Sequence, residues 1–320
     1  MVFPGTAAVV VYTRIFVMKN IRHAMDGLFL FLGLALGASA APAANTVTAP
    51  DARLEKLSGD FAFTEGPACD AAGNVYFTDQ PNDRILKWSL EGKLSTFMQP
   101  CGRANGMMFD HQGRLIACAD ETNQLWSIAS SGKAEVLLKD FEGKLFNGPN
   151  DVWVRPDDGI YLTDPYYKRP WWKRGPKEQP ENVYFMSADR KKCIRVIDDL
   201  KQPNGITGTP DGKKLYVADI GARKTYSYSI QPDGTLTDKK LFCEMGSDGM
   251  TIDHEGNVYL TGQGVTVFDP TGAKIEQIPV GESWTANACF GGADRKTLFI
   301  TASKGFYSIK MRVKGGNPGK

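Results

Sequence analysis

The sequence predicts an all-β fold: a six-bladed β-propeller with four-stranded blades, its ring closed by pairing of the N- and C-terminal segments. Two observations predict it. A short segment recurs six times, beginning at Glu65, Asn105, Asn150, Asn204, Asp248 and Asn287, at intervals of 40, 45, 54, 44 and 39 residues. Each copy is an apolar stretch, a polar turn usually carrying Asp and Gly, and a second apolar stretch, as in EGPACDAAGNVYFTD and DGMTIDHEGNVYLTG. Four strands in about 40–45 residues is the period of a propeller blade, and Asp-Gly turns suit tight hairpins.

The N-terminus reads as a targeting segment. Lys19, Arg22 and His23 precede an apolar run from Leu28 to Leu36, followed by the small-residue pattern Ala38-Ser39-Ala40. That is the layout of a secretory signal over residues 1–40, and a start at Met18 makes it conventional. The apolar run is too short to span a bilayer. The expected product is therefore secreted or periplasmic, with no membrane contact after cleavage. Removing Arg14, Lys19, Arg22 and Asp26 brings the net charge from +2 to about zero. No basic tract remains to neutralise phosphates, so nucleic-acid binding is disfavoured. The six cysteines match no metal knuckle and read mostly as small core residues, although an exported chain permits disulfides.

Residues 41–60 are expected to form a linker and a closing strand, 61–312 the propeller, and 313–320 a flexible tail. Blade 1 continues with strands over Arg84–Leu90 and Leu94–Met98, and blade 4 with Lys224–Ile230 and Leu236–Phe242. The sixth blade lacks a strand after Gly305–Met311. The segment Arg53–Leu57 can supply it, joining the two ends and removing an exposed edge.

The first strand of each blade lines the axis, so the six opening residues converge at one rim. All six carry a side-chain oxygen: two carboxylates, Glu65 and Asp248, and four amides, Asn105, Asn150, Asn204 and Asn287. Such a set suits a hard divalent cation, calcium foremost, with zinc, magnesium or manganese as alternatives. Two close buried carboxylates would otherwise repel, and one would protonate. Asn and Asp also start strands as ordinary turn residues, but that accounts poorly for one register kept through six repeats. Only His111 and His254 follow the targeting segment, both in hairpin turns, so a Ser-His-Asp or histidine-zinc site is poorly supported. The longest interval holds the insertion PYYKRPWWKRGPKEQPEN, Pro165 to Asn182, which interleaves Tyr166, Tyr167, Trp171 and Trp172 with basic residues. Folded over the axis it would be a lid, with Tyr166 and Trp171 against the ligand; otherwise it is a surface loop.

Several strings together resemble the gluconolactonase/regucalcin (senescence marker protein) family of six-bladed propellers: FTEGP at Glu65, FNGPNDVWV at Asn150, TDPYY, QPNGITGTPDGKKLYVAD at Asn204, SDGMTID at Asp248, and CFGGADRKTLFITA. The resemblance spans residues 60–312. It implies a metal held by Glu65, Asn204 and Asp248, with Asn150 in the metal or substrate shell, and an activity that opens sugar lactones. Asp248 would serve as catalytic base, and Asn105, Asn150 and Asn287 would orient the substrate. Two departures stand out. Many relatives carry an arginine shortly before the Pro-Asn-Asp motif, where this chain has Leu145 and Phe146. Some bacterial relatives carry Cys-Glu-His where this chain has Cys118-Ala119-Asp120. Aryl-ester or organophosphate hydrolysis on the same site, or a non-enzymatic binding propeller with a structural metal, are the alternatives.

Overall fold

The computed structural model describes residues 47–316; the expected signal segment 1–40 and residues 317–320 lie outside the described residues. Six four-stranded antiparallel sheets follow the six repeats. Blade 1 comprises Thr64–Cys69, Val75–Asp79, Arg84–Trp88 and Leu94–Met98, and blade 2 Ala104–Phe109, Leu115–Ala119, Gln124–Ile128 and Ala134–Leu138. Blade 3 comprises Val152–Val154, Ile160–Asp164, Asn182–Met186 and Cys193–Ile197, and blade 4 Pro203–Gly208, Lys214–Asp219, Lys224–Ile230 and Leu236–Cys243. Blade 5 runs Met250–Ile252, Val258–Gly262, Gly264–Phe268 and Lys274–Ile278. The first strands of successive blades touch in a closed cycle, blade 6 returning to blade 1.

Blade 6 (Thr285–Gly291, Thr297–Ala302, Gly305–Lys310) takes its fourth strand, Glu55–Ser58, from the N-terminal side, with Glu55 opposite Ser308 and Lys56 opposite Tyr307. The closing strand is thus the expected segment, shifted slightly along the chain. Ahead of it, Val47 is buried, and the Glu276 carboxylate of blade 5 accepts the Val47 and Thr48 N–H groups at 2.6 and 3.2 Å. The packed chain also runs past residue 312: Val313 is buried, and Gly315 bridges to Asp253. The tail expected from 313 is therefore ordered through 316, because Val313 offers apolar surface to the core between blades 5 and 6.

The hairpin turns hold because their aspartates cap them locally. Asp70 Oδ1 accepts the N–H groups of Gly73 and Asn74, both at 2.9 Å, and Asp253 Oδ1 accepts those of Glu255 and Asn257 at the same distance. The second strands of the blades are buried along their length, as in Val75–Asp79, Leu115–Ala119 and Ile160–Asp164, and the six interblade seams each hold a buried cluster. Tyr76, Met107 and Leu115 fill the seam between blades 1 and 2. Trp153, Tyr161, Ile206 and Val217 fill that between blades 3 and 4. All six cysteines are free thiols, and Cys101, Cys118 and Cys243 are buried.

Candidate active site

Antiparallel pairing puts the end of each second strand beside the start of the first, so one rim collects the axial residues and the loops that follow the second strands. Glu65, Asn105, Asn150, Asn204 and Asn287 lie there or just inside, each at most 6% exposed, and Asp248 lies there half-buried. Gly66 and Gly249 permit that convergence. A Cβ on Gly66, whose φ is +36°, would lie 2.0 Å from the Asn105 carbonyl oxygen, and one on Gly249 would lie 1.9 Å from the Asn287 amide carbon.

Glu65 and Asp248 form the acidic centre. Burial raises the Glu65 carboxyl well above its ordinary range, and the charge of Asp248 adds to that. Burial also raises Asp248, partly offset by two donors: Trp284 Nε1 at 2.6 Å on Oδ2, and Asn204 Nδ2 at 2.9 Å on Oδ1. The second hydrogen of Asn204 Nδ2 goes to Tyr167 Oη at 2.7 Å. With two acceptors fixing the NH2 group, the Asn204 Oδ1 is left buried and without a partner. An orphaned amide oxygen beside two carboxylates is an all-oxygen donor set of the kind a hard cation takes. No cluster of three or more His, Cys, Asp or Glu able to hold a metal occurs among the described residues, so a cation here would need amide oxygens as well. Asn150 is anchored by its backbone, its N–H donating to Thr163 O at 2.9 Å and its carbonyl accepting from Gly106 N at 2.7 Å.

The insertion after Asp164 folds onto this rim. It is Tyr167, one residue beyond the expected Tyr166, that reaches the axial asparagine; Tyr166 packs on Trp172 with ring centroids 5.6 Å apart. Trp171 Nε1 donates to Asp120 Oδ2 at 3.2 Å, and Trp172 Nε1 to the Asp120 carbonyl at 3.2 Å. Asp164 is fixed beneath the insertion by the N–H groups of Asn147 and Gly148, both at 2.9 Å, and burial pushes it up to about 7. Arg174 stacks 3.9 Å from Trp172 and donates to Phe146 O at 2.7 Å, so Phe146 anchors the insertion through its carbonyl.

Asn287 faces a different part of the channel. Its Oδ1 accepts the Ala288 N–H at 2.8 Å, and its amide donates to Asp151, whose carboxyl burial pushes up to about 8. Both line a cavity of about 310 Å³ farther along the same strands, with Met107, Ile206 and Met250. Neither Glu65 nor Asp248 lines it. Asp151, Trp284, Asp120 and Arg169 were not picked out from the sequence. Asp151 directly follows an axial residue and was legible there, whereas Trp284 lies in a loop with no repeat signal.

Residues 63–304 match the pattern of the SMP-30/gluconolactonase/LRE-like region. The chain belongs to that family. A gluconolactonase of Zymomonas mobilis is 26% identical over 292 residues, covering 82% of each chain. The structure of a gluconolactonase of Xanthomonas campestris is similar with a TM-score of 0.78 at 28% identity, covering 83% of this chain and 91% of that one. Regucalcin of Agrobacterium tumefaciens, a calcium-binding protein, shares the fold with a TM-score of 0.67 at 17% identity, covering 82% of this chain and 93% of that one.

This member of the SMP-30/gluconolactonase family carries several buried acids whose charge the fold disfavours, and that sets its pH response. Burial lifts Asp120 to about 6, Asp164 to about 7 and Asp151 to about 8, above the ordinary carboxylate value near 4. The folded chain therefore keeps protons that the unfolded chain has released, and these groups withdraw stability as pH rises from about 4 through 8. With a chelator present, the melting temperature is expected to fall between pH 5.5 and 8.5; a flat or rising profile would contradict this assignment.

Proposed function

We propose that the protein is a lactonase that opens sugar lactones, working with a divalent cation at the axial rim. The observation that carries this reading is the pair of carboxylates, buried Glu65 and half-buried Asp248, beside the unpartnered Oδ1 of Asn204. Gluconolactonase relatives in two bacteria support the choice of substrate. The N-terminal pattern over residues 1–40 supports export, to the periplasm or the exterior.

Glu65, Asn204 and Asp248 would hold the cation, with Asn150 beside them. Calcium accepts such mixed carboxylate and amide oxygens, and zinc, magnesium or manganese take subsets of them. Bound there, the cation would polarise the lactone carbonyl and stabilise the charge that develops on its oxygen. The chain's own residues do the rest. Asp248, its carboxyl raised by burial, is a better proton acceptor than an exposed aspartate and takes a proton from the attacking water. The Trp284 and Asn204 donors hold its plane fixed while it does so. Water oxygen bonds to the carbonyl carbon, the bond from that carbon to the ring oxygen breaks, and the ring oxygen takes up a proton as a hydroxyl. The product hydroxy acid ionises, releasing one proton per turnover. Tyr167 and the Trp171 indole close the rim and limit the water that enters.

The test is proton release from glucono-δ-lactone by residues 41–320 with calcium, with zinc and after chelation. Cation-dependent release is expected. No release with any of these cations would refute the gluconolactonase reading and turn attention to aryl esters and phosphotriesters.

A further inference from the structure

Blade 2 lacks an acid that three other blades share, as do blades 5 and 6, whose second strands end in Gly262 and Ala302. In blades 1, 3 and 4 the second strand ends in an aspartate that clamps the loop leading into the first strand. Asp79 accepts Ala62 N and Phe63 N at 3.0 and 3.3 Å, Asp164 accepts Asn147 N and Gly148 N, and Asp219 accepts Lys201 N and Gln202 N at 2.8 and 3.0 Å. Asp79 pairs with Thr64 and Asp219 with Pro203, and in that register blade 2 places Ala119, opposite Ala104. The clamp there is taken over by Asp83, whose Oδ1 accepts Cys101 N at 2.9 Å and Arg103 N at 2.7 Å. Asp120 stands one residue past the repeat position. It is 3% exposed, and its Oδ2 meets the insertion: Trp171 Nε1 at 3.2 Å and Arg169 Nε at 3.4 Å. The same oxygen also accepts Gln80 Nε2, from the turn after the second strand of blade 1, at 3.4 Å, so Asp120 joins the insertion to the neighbouring blade.

Arg169 is held by faces and not by hydrogen bonds. Its guanidinium lies 5.0 Å from the Tyr167 ring centroid and 5.6 Å from that of Trp171. Its Nε is buried without a hydrogen bond, and neither NH2 group makes one among the described residues. The other two arginines of the rim each make such a bond, Arg103 to the Pro81 carbonyl and Arg174 to the Phe146 carbonyl, although both also keep buried nitrogens without a partner. The charge of Arg169 also reaches the centre. Burial raises Glu65 and Asp248, and Arg169 opposes the rise in both. A preorganised fork with free donors, stacked on aromatic faces at the edge of an acidic centre, fits a planar group of oxygens on one carbon.

We propose that Arg169 is a substrate-binding residue that receives the lactone carbonyl oxygen and then the carboxylate of the aldonate product, and that Asp120 is the residue that positions it. The inference rests on the lactonase reading of the site. It assigns to the insertion a binding group that no residue of the Leu145–Phe146 segment can provide, since both side chains are apolar. In the charge balance at the rim, Asp120 offsets Arg169, and the two axial carboxylates offset a divalent cation.

The experiment compares Arg169→Met, Arg169→Lys, Asp120→Asn and the Arg169→Met/Asp120→Asn pair. Each is assayed for glucono-δ-lactone kinetics, gluconate affinity by calorimetry and melting temperature. Arg169→Met is expected to lower kcat/KM about 100-fold and gluconate affinity at least about 10-fold, with partial recovery in Arg169→Lys. Asp120→Asn is expected to raise KM more than it lowers kcat, and to add little in the Arg169→Met background. Unchanged kcat/KM and gluconate affinity in Arg169→Met would overturn the proposal, as would additive effects of the two substitutions for the part given to Asp120. A loss of activity matched by a lower melting temperature in both Arg169 variants would mark a structural role and overturn it too. The calorimetry separates the two readings: wild-type protein that binds gluconate through Arg169 but hydrolyses no lactone refutes the lactonase reading alone. Wild-type protein that binds no gluconate refutes the Arg169 proposal whatever its turnover.

Discussion

Asp248→Asn is expected to lower lactone hydrolysis by about three orders of magnitude or more, and Glu65→Gln to remove the rise in melting temperature that calcium produces. The first effect follows from the two demands on Asp248. It accepts Trp284 Nε1 at 2.6 Å and Asn204 Nδ2 at 2.9 Å while remaining a half-buried base. An amide keeps the shape but has no proton affinity at neutral pH, and groups that act together lose most of their effect when one is removed. The second effect follows from burial. The Glu65 carboxyl sits well above its ordinary range, and its one local donor is the Gly66 N–H at 3.2 Å. Without a cation its charge destabilises the fold, so the glutamine variant should melt higher than wild type at pH 8 under chelation, and show no further gain with calcium. Scanning calorimetry with and without calcium reads both. A Glu65→Gln protein that melts lower under chelation, and still gains with calcium, would contradict the cation role of Glu65.

Gly66→Ala is expected to destabilise the protein by about 3 kcal/mol or more, a fall of about 10 °C in melting temperature for a domain of this size. Its new Cβ would sit 2.0 Å from the Asn105 carbonyl oxygen, a backbone atom fixed by the neighbouring blade, and its φ of +36° disfavours any side chain. Because Gly66 adjoins Glu65, the strand start must shift with it, and activity should fall along with stability. A Gly113→Ala control has open space around its Cβ, at a φ of +74°, and so reports the conformational penalty alone. A Gly66→Ala protein as stable as this control would show that the seam between blades 1 and 2 can yield.

How much of this was legible in the sequence depends on whether the information was local. The six-fold repeat is local: Asp-Gly turns and apolar strands recur in phase, so blade number and the residue that opens each repeat could be read off, but not that Asn287 faces a different part of the channel from the other five. The closing strand could also be read, because the last repeat ended one strand short and Arg53–Leu57 offered the length to complete it, the strand itself forming at Glu55–Ser58. The choice between Tyr166 and Tyr167 could not, because both flank the same bend and only packing on Trp172 or the Asn204 amide separates them. Trp284 was hidden for a similar reason, since nothing repeats in the loop that brings it to Asp248.

The sequence by itself determined a ring of six blades with oxygen-bearing residues at each opening, because hairpin periodicity and turn chemistry act within a few residues. The tertiary structure alone decided which rim the insertion covers. Pairing of Asn182 with Asp164 brings both ends of the insertion to the rim where Asn150 lies, and the out-of-register Asp120 of another blade anchors it there. Contacts between blades depend on where distant segments meet in space, and no spacing along a single chain records that meeting.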